Sequence, residues 1–285
     1  MLAFVVGLML ALPASAGGDA ASQLDLGLCA PDQNRFTLDI DNEFFPLPVG
    51  GQWTFSGEEE GQTLGMQITV LDATETLSFD SQDVTTRVVE EREWFDTNAD
   101  GAFDADEELI EVSLNYFAQT REGTVCYFGE EVDIYENGEV VSHEGSWRAD
   151  EPGNAPGIYM PTEPEVGMRY QMEVAPGIAV DEATIVASGV ERVLRGRLAE
   201  TIEVVEVNPL DGSESVKVYA EHIGMIRDSA FELIRLGGPL PADDDDRDGH
   251  GDCDGRDWDR DRDGDGDRRW GDRFDGHRGG DYDDD

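Results

Sequence analysis

Lysine is almost missing from this chain. In 285 residues there is one, Lys217, and Lys plus Arg number 20 against 65 Asp plus Glu. The formal net charge of −45 repels nucleic-acid phosphates and anionic lipid surfaces, which excludes nucleic acid as a partner, and it attracts divalent cations. Adaptation to a salty medium, or solubility alone, explains the same excess equally well. Cysteine is scarce too, at three. No CxxC spacing and no single zinc ligand set is present, so a soft-metal site is not expected. HExxH, GxSxG and a phosphate-cradling Gly loop are all lacking, which removes the familiar hydrolase and nucleotide signatures. Past the first residues no apolar run approaches eighteen, so no transmembrane segment is expected.

What is there begins with an apolar stretch, Leu2 to Leu12, followed by Ala14-Ser15-Ala16. This reads as a signal peptide over residues 1–16, although the usual basic start is missing. The chain is therefore expected to be secreted or periplasmic. Bulky Leu26 and Leu28 before Cys29 argue against a lipid anchor there. In an oxidising compartment Cys29 and Cys126 could pair and leave Cys253 over, but three cysteines allow three pairings. Residues 17–41 read as a polar leader. From Asp243 onward there are 19 Asp and 8 Arg, a net of −11, so the preceding 242 residues still carry about −34. Residues 237–285 are read as an Asp/Gly/Arg-rich low-complexity tail, too polar to bury a core and expected to be disordered.

The most informative stretch is Asp96 to Glu107, DTNADGAFDADE. It fits the twelve-residue calcium loop of the EF-hand. Asp96, Asn98, Asp100 and Asp104 place side-chain oxygens at positions 1, 3, 5 and 9. Gly101 allows the sharp turn at position 6, Ala102 offers its backbone carbonyl at position 7, and Glu107 is the bidentate ligand at position 12. Calcium requires six to eight hard oxygens around one point, and this spacing supplies them. The competing reading is an acidic solvated turn. In the tail, Asp244 to Asp254 and Asp259 to Asp267 look like looser versions, without Glu at position 12.

The flanks of the loop read as strands. Val84, Thr86, Val88 and Trp94 keep period two before it, and Ile110, Val112, Leu114 and Tyr116 keep it after. The loop is thus expected to cap a β-hairpin, with a helix-loop-helix as the weaker alternative. Further strands are read at Gln52–Phe55, Met66–Leu71, Val125–Tyr135, Val140–His143, Tyr170–Val174, Thr184–Val190, Thr201–Val207 and Ser215–Ala220. Asn137-Gly138 and Asp211-Gly212 are hairpin turns. Asp150 to Gly167 reads as a long Pro- and Gly-rich connection, and Arg192 to Ala199 as a short helix or a strand. About ten strands make an all-β, mainly antiparallel domain over 42–236: a single large sheet, half-barrel or barrel.

Five motifs, FFPLPVGGQWTFSG at Phe44–Gly57, YFGEEVDIYENGEVV at Tyr127–Val141, GSWRAD at Gly145–Asp150, GIYMP at Gly157–Pro161 and VYAEHIGMI at Val218–Ile226, together resemble a family of secreted bacterial β-rich proteins of unassigned function. The resemblance covers roughly residues 42 to 228. It implies a β-rich fold and no catalytic residues. The function expected is therefore a secreted calcium-binding protein with a structural or binding role, calcium being the cofactor. The alternatives are a β-barrel carrier of an apolar ligand or, less favoured, a hydrolase. For the last, His143 with the nearby Ser142 and Ser146, and His222, are the candidates, and each His reads more simply as structural. A partner in the cell envelope is left open.

Overall fold

Tight reversals build the sheet. Glu60-Gly61 and Asn137-Gly138 both take left-handed backbone, with φ of 51° and 80° and of 52° and 78°. Two consecutive residues of that kind match the right-handed twist of the strands they join. The computed structural model describes residues 22–239, apart from 191, 195 and 196. The signal-peptide reading, the acidic tail with its looser loops, and Cys253 lie outside the described residues.

In chain order the strands are β1 (Ser22–Gln23), β2 (Phe36–Thr37), β3 (Gln52–Glu59), β4 (Gln62–Ser78), β5 (Asp83–Phe95) and β6 (Leu109–Thr120). They continue with β7 (Val125–Glu136), β8 (Glu139–Ser142), β9 (Trp147–Arg148), β10 (Gly157–Met160), β11 (Met168–Gln171) and β12 (Glu182–Ser188). The last are β13 (Arg192–Leu194), β14 (Arg197–Ala199), β15 (Thr201–Val207), β16 (Glu214–Ala220), β17 (Gly224–Asp228) and β18 (Phe231–Gly237). A 3-10 turn over Leu26–Cys29 is the one helical element among the described residues, and no helix there is long and apolar enough to cross a membrane.

Sixteen strands form one sheet, in the order β1-β11-β12-β15-β16-β17-β18-β3-β4-β5-β6-β7-β10, with β2 on β6 and β8 and β9 on β7. Only β1–β11 is parallel; the other ladders are antiparallel. The sheet is not closed into a barrel, yet it curls until its ends approach. Ala155 bridges Val174, and a Cβ on Gly157 would lie 1.8 Å from the Met172 carbonyl oxygen, so only glycine permits that contact. One reading is corrected here: GIYMP is strand β10 rather than part of a connection. For Arg192 to Ala199 the strand alternative holds over the helical one, as the pair β13–β14.

The concave side holds the main core, from Cys29 and Phe45 through Met66, Phe117 and Tyr127 to Tyr219. The stretch 22–41, polar in sequence, joins it: β1 extends the sheet, Ile40 is buried, and Cys29 is disulfide-bonded to Cys126. Cross-strand partners share a face. Glu93 opposes Glu111, Glu91 opposes Ser113, and Asn115 opposes Glu130. This set faces inward. Ile110, Val112 and Leu114 are therefore on the outer face, where they are half-buried.

Candidate metal centre

Asp96–Glu107 joins β5 to β6, so strands flank the loop on both sides. Phe95 N–H donates to Glu108 O (3.0 Å) and Asp96 N–H to Thr63 O (3.0 Å), which anchors the ends of the loop to the sheet. Left-handed backbone at Ala99 (φ 57°) and Gly101 (φ 69°) turns the chain over. A side chain on Gly101 would also meet Ile234, whose Cδ1 lies 2.3 Å from the Cβ position. Below the loop, Phe103 packs edge-on against the fully buried Trp94 (centroids 5.9 Å apart), with the Arg92 guanidinium 5.6 Å over its ring. Trp94 in turn covers Gly65, where an added Cβ would strike the indole.

Backbone amides organise the acid side chains. Asp96, 1% exposed, accepts from Asp100 N–H (3.2 Å) and Gly101 N–H (2.8 Å). Asn98 Oδ1 accepts from Asp100 N–H (2.9 Å), and Asp100 Oδ1 from Ala102 N–H (2.8 Å). Glu107 reaches back across the loop: its two oxygens accept from Thr97 N–H (3.0 Å) and Asp104 N–H (3.0 Å). Asn98 Nδ2 donates to Asp104 (3.4 Å). Position 12 thus lies against positions 2 and 9, so Glu107 spans the loop from one side to the other. A carboxylate oxygen has a second lone pair, so these bonds leave capacity for an ion. Arg235 clamps the turn by donating to Gly101 O (2.7 Å), which leaves the Ala102 carbonyl, the expected ligand, uninvolved in that clamp. The donor set is all hard oxygen, which suits calcium.

The loop carboxylates are not drawn into the tightest acid cluster. Among the described residues the one set of three with ligand atoms within 4.8 Å of one another is Glu43, Glu221 and His222. Like charges on Asp96, Asp100, Asp104 and Glu107 repel, and the amides hold them apart. The Glu43 set sits at the β16–β17 turn, where His222 takes φ 58° and donates its N–H to Glu43 O (2.7 Å). His222 Nε2 lies 3.5 Å from Glu221 Oε1. The VYAEHIGMI motif carried the signal for this turn, but Glu43 is 178 positions upstream of Glu221 in sequence, beyond the reach of local spacing.

The hydrolase candidates are also placed. His143 Nδ1 lies 2.8 Å from Asp133 Oδ1, and Ser146 is beside them in an outer groove with Glu90, Val112, Leu114 and Glu131. Ser146 Oγ is engaged by the backbone, accepting from Val132 N–H (2.9 Å) and lying 3.4 Å from Val132 O. That is the pattern of a hydroxyl that fixes a turn rather than of an activated nucleophile. Ser142 Oγ likewise accepts from Glu144 N–H (3.0 Å).

Compared with protein-family models, curated proteins and solved structures, the chain matches none, so the resemblance over residues 42 to 228 rests on its motifs alone.

Proposed function

We propose that the protein is a secreted or periplasmic calcium-binding protein with a structural or binding role, in which Asp96, Asn98, Asp100, Ala102, Asp104 and Glu107 hold the ion. The observation that carries this reading is Glu107 folded back over a loop whose first ligand, Asp96, is almost wholly buried. A turn shaped by solvation alone has no reason to bury one carboxylate and fold a second back onto the amides of Thr97 and Asp104. The Cys29–Cys126 disulfide supports an oxidising compartment outside the cytosol.

The loop stands without a comparable partner loop among the described residues, and its flanks are strands of one rigid sheet. Its affinity should therefore be that of extracellular modules, with Kd on the order of 10⁻⁴–10⁻³ M. The ion then acts as a permanent clip on a hairpin rather than as a sensor. Scanning calorimetry of the full chain at about 5 mM calcium, well above that Kd, and in chelator tests this. The melting temperature rises with calcium for wild type, and Glu107→Gln and Asp96→Ala abolish the rise. Equal melting of the wild type in the two buffers would sink the proposal.

A carrier role is the second reading. The interior aromatic cluster of Phe45, Phe117, Tyr127, Tyr159 and Tyr219 favours it, since a curled sheet with one aromatic wall offers stacking surface to a ligand.

A further inference from the structure

The concave face of the sheet carries an arrangement that a calcium clip does not require. β5 and β16 are five places apart in the strand order, about 24 Å along a flat sheet at 4.8 Å per step. Yet Phe45 packs against both Phe117 on β6 and Tyr219 on β16, and Glu91 on β5 feels the charges of Lys217, Asp228 and Glu206. The curl therefore brings two acidic walls face to face. One wall holds Glu91 and Glu93 on β5, Glu111 on β6 and Glu130 on β7; the other holds Glu206 on β15 and Asp228 on β17, with Lys217 between them. Lys217 Nζ lies 3.1 Å from Glu206 and 3.4 Å from Asp228.

These groups are not a solvated rim. Glu91, Glu93, Glu130 and Glu173 are half-buried, so solvent still reaches them. Even so, loss of hydration pushes their carboxyls up to about 7, 8, 8 and 7. Both facts hold together for side chains lining a trough. Besides that burial, the largest neighbouring charge is a carboxylate for Glu93, Glu130 and Glu173 and the Lys217 cation for Glu91. Glu93 and Glu111 stand directly opposite each other across the ladder, a like-charge pairing that destabilises a sheet. Glu206 is 6% exposed, and while Oε2 binds Lys217, Oε1 has no hydrogen-bond partner. A deeply buried carboxylate oxygen without a partner is costly and marks a position where a donor belongs.

The ligand chemistry follows from the walls. The trough acids named on the two walls are spread over five strands, and none of them belongs to the set of three whose ligand atoms lie within 4.8 Å of one another among the described residues. Next to the acids stand aromatic rings: Phe45 packs against both Tyr159 and Tyr219, and Tyr127 stacks on Phe117 at 4.8 Å. Carboxylates for N–H donors beside aromatic faces for the cationic body are the means by which organic ammonium and guanidinium groups are recognised. We propose that this trough is a binding site for a small organic cation, an amine or guanidinium compound, seated between Glu91, Glu93, Glu206 and the Tyr159–Tyr219 pair.

The test is isothermal titration of the full chain, in chelator so that the calcium loop plays no part, with choline, agmatine and spermidine as separate probes. At least one should give saturable binding near one per chain, weakened about tenfold or more by Glu206→Gln, as expected for loss of a charge-assisted hydrogen bond. Glu93→Gln, nearer the open end of the wall, should weaken it too and serves if Glu206→Gln fails to fold. Adsorption to the acidic tail is recognised by binding that neither variant changes. That result, or the absence of saturation with all three probes, would overturn the proposal. Saturable binding of calcium at this trough in place of the amines, read as a second calcium site surviving Glu107→Gln, would overturn it as well.

Discussion

At the scale of single residues, Asn42 shows how much one buried amide can hold. It is 5% exposed. Its Nδ2 donates to Gly123 O and Pro161 O, both at 3.0 Å, and its Oδ1 accepts from Phe44 N–H and Phe45 N–H, both at 3.1 Å. Those four bonds tie the loop before β3 to the β6–β7 turn and to the end of β10, and they aim Phe45 into the aromatic wall. Asn42→Asp keeps the shape but turns a carboxylate oxygen toward two carbonyls. Leaving buried polar groups unsatisfied costs about 1–3 kcal/mol each, so a loss of about 3 kcal/mol or more is expected. At about 2–4 °C per kcal/mol for a domain of this size, the melting temperature should fall by about 10 °C. An unchanged urea midpoint would show that the loop is held by its apolar contacts alone. In the Asp96–Glu107 loop the decisive single residue is Gly101, whose left-handed backbone and contact with Ile234 leave no room for a side chain.

Among the elements, the hairpin of β5 and β6 carries both the calcium loop and the acidic wall, and it shows what could be read in advance. Period-two alternation located both strands and made flanking helices the weaker reading, because that signal is local. The side that faces inward was not legible. Ile110, Val112 and Leu114 make the apolar stripe, but the polar stripe of Glu111, Ser113 and Asn115 is the one that faces the interior. A pattern reports that two faces differ, and only the curl of the whole sheet decides which is enclosed. The same limit hid how residues 22–41 pack on the sheet, although the covalent tie from the Leu26–Cys29 turn to β7 was one of the three cysteine pairings left open. That tie closes a span of 97 residues between Cys29 and Cys126. In the chain-entropy account a loop of about 100 residues contributes about 4.7 kcal/mol. The double variant Cys29→Ala/Cys126→Ala should therefore melt at least 10 °C lower. Wild type in reductant should follow it, and Cys253→Ala should not. A double variant melting with wild type would mean that β1 and the 3-10 turn are held by packing alone.

Across the whole molecule, the sheet's curl sets a pH dependence opposite to that of most acidic proteins. The interior carboxyls of Glu91, Glu93, Glu130 and Glu173 have values near 7 to 8 in the folded state, against about 4.3 for a glutamate in an unfolded chain. Between those limits the folded chain binds more protons than the unfolded one, so stability must fall as pH rises. The contribution of these four is fully present below about pH 4.3 and is lost through about pH 8. Asp228, Glu111 and Glu206 face the same interior and oppose ionisation, while Lys217 favours it. Its own proton is secure: burial acts to lower its pKa, but Asp228 and Glu206 more than offset that and hold it well above the usual lysine range. Carboxyls with ordinary values titrate below pH 5.5, so in a scan from pH 5.5 to 8.5, in chelator and at constant ionic strength, the groups that titrate are the interior carboxyls and the four histidines, which the glutamate variants tell apart. The melting temperature should fall by several degrees across it, and the double variant Glu93→Gln/Glu130→Gln should flatten the slope. A cation seated in the trough should flatten it also, because it stabilises the ionised carboxylates that proton release would otherwise leave facing one another. A melting temperature that rises with pH over this range would mean that these carboxyls keep their hydration in the folded chain.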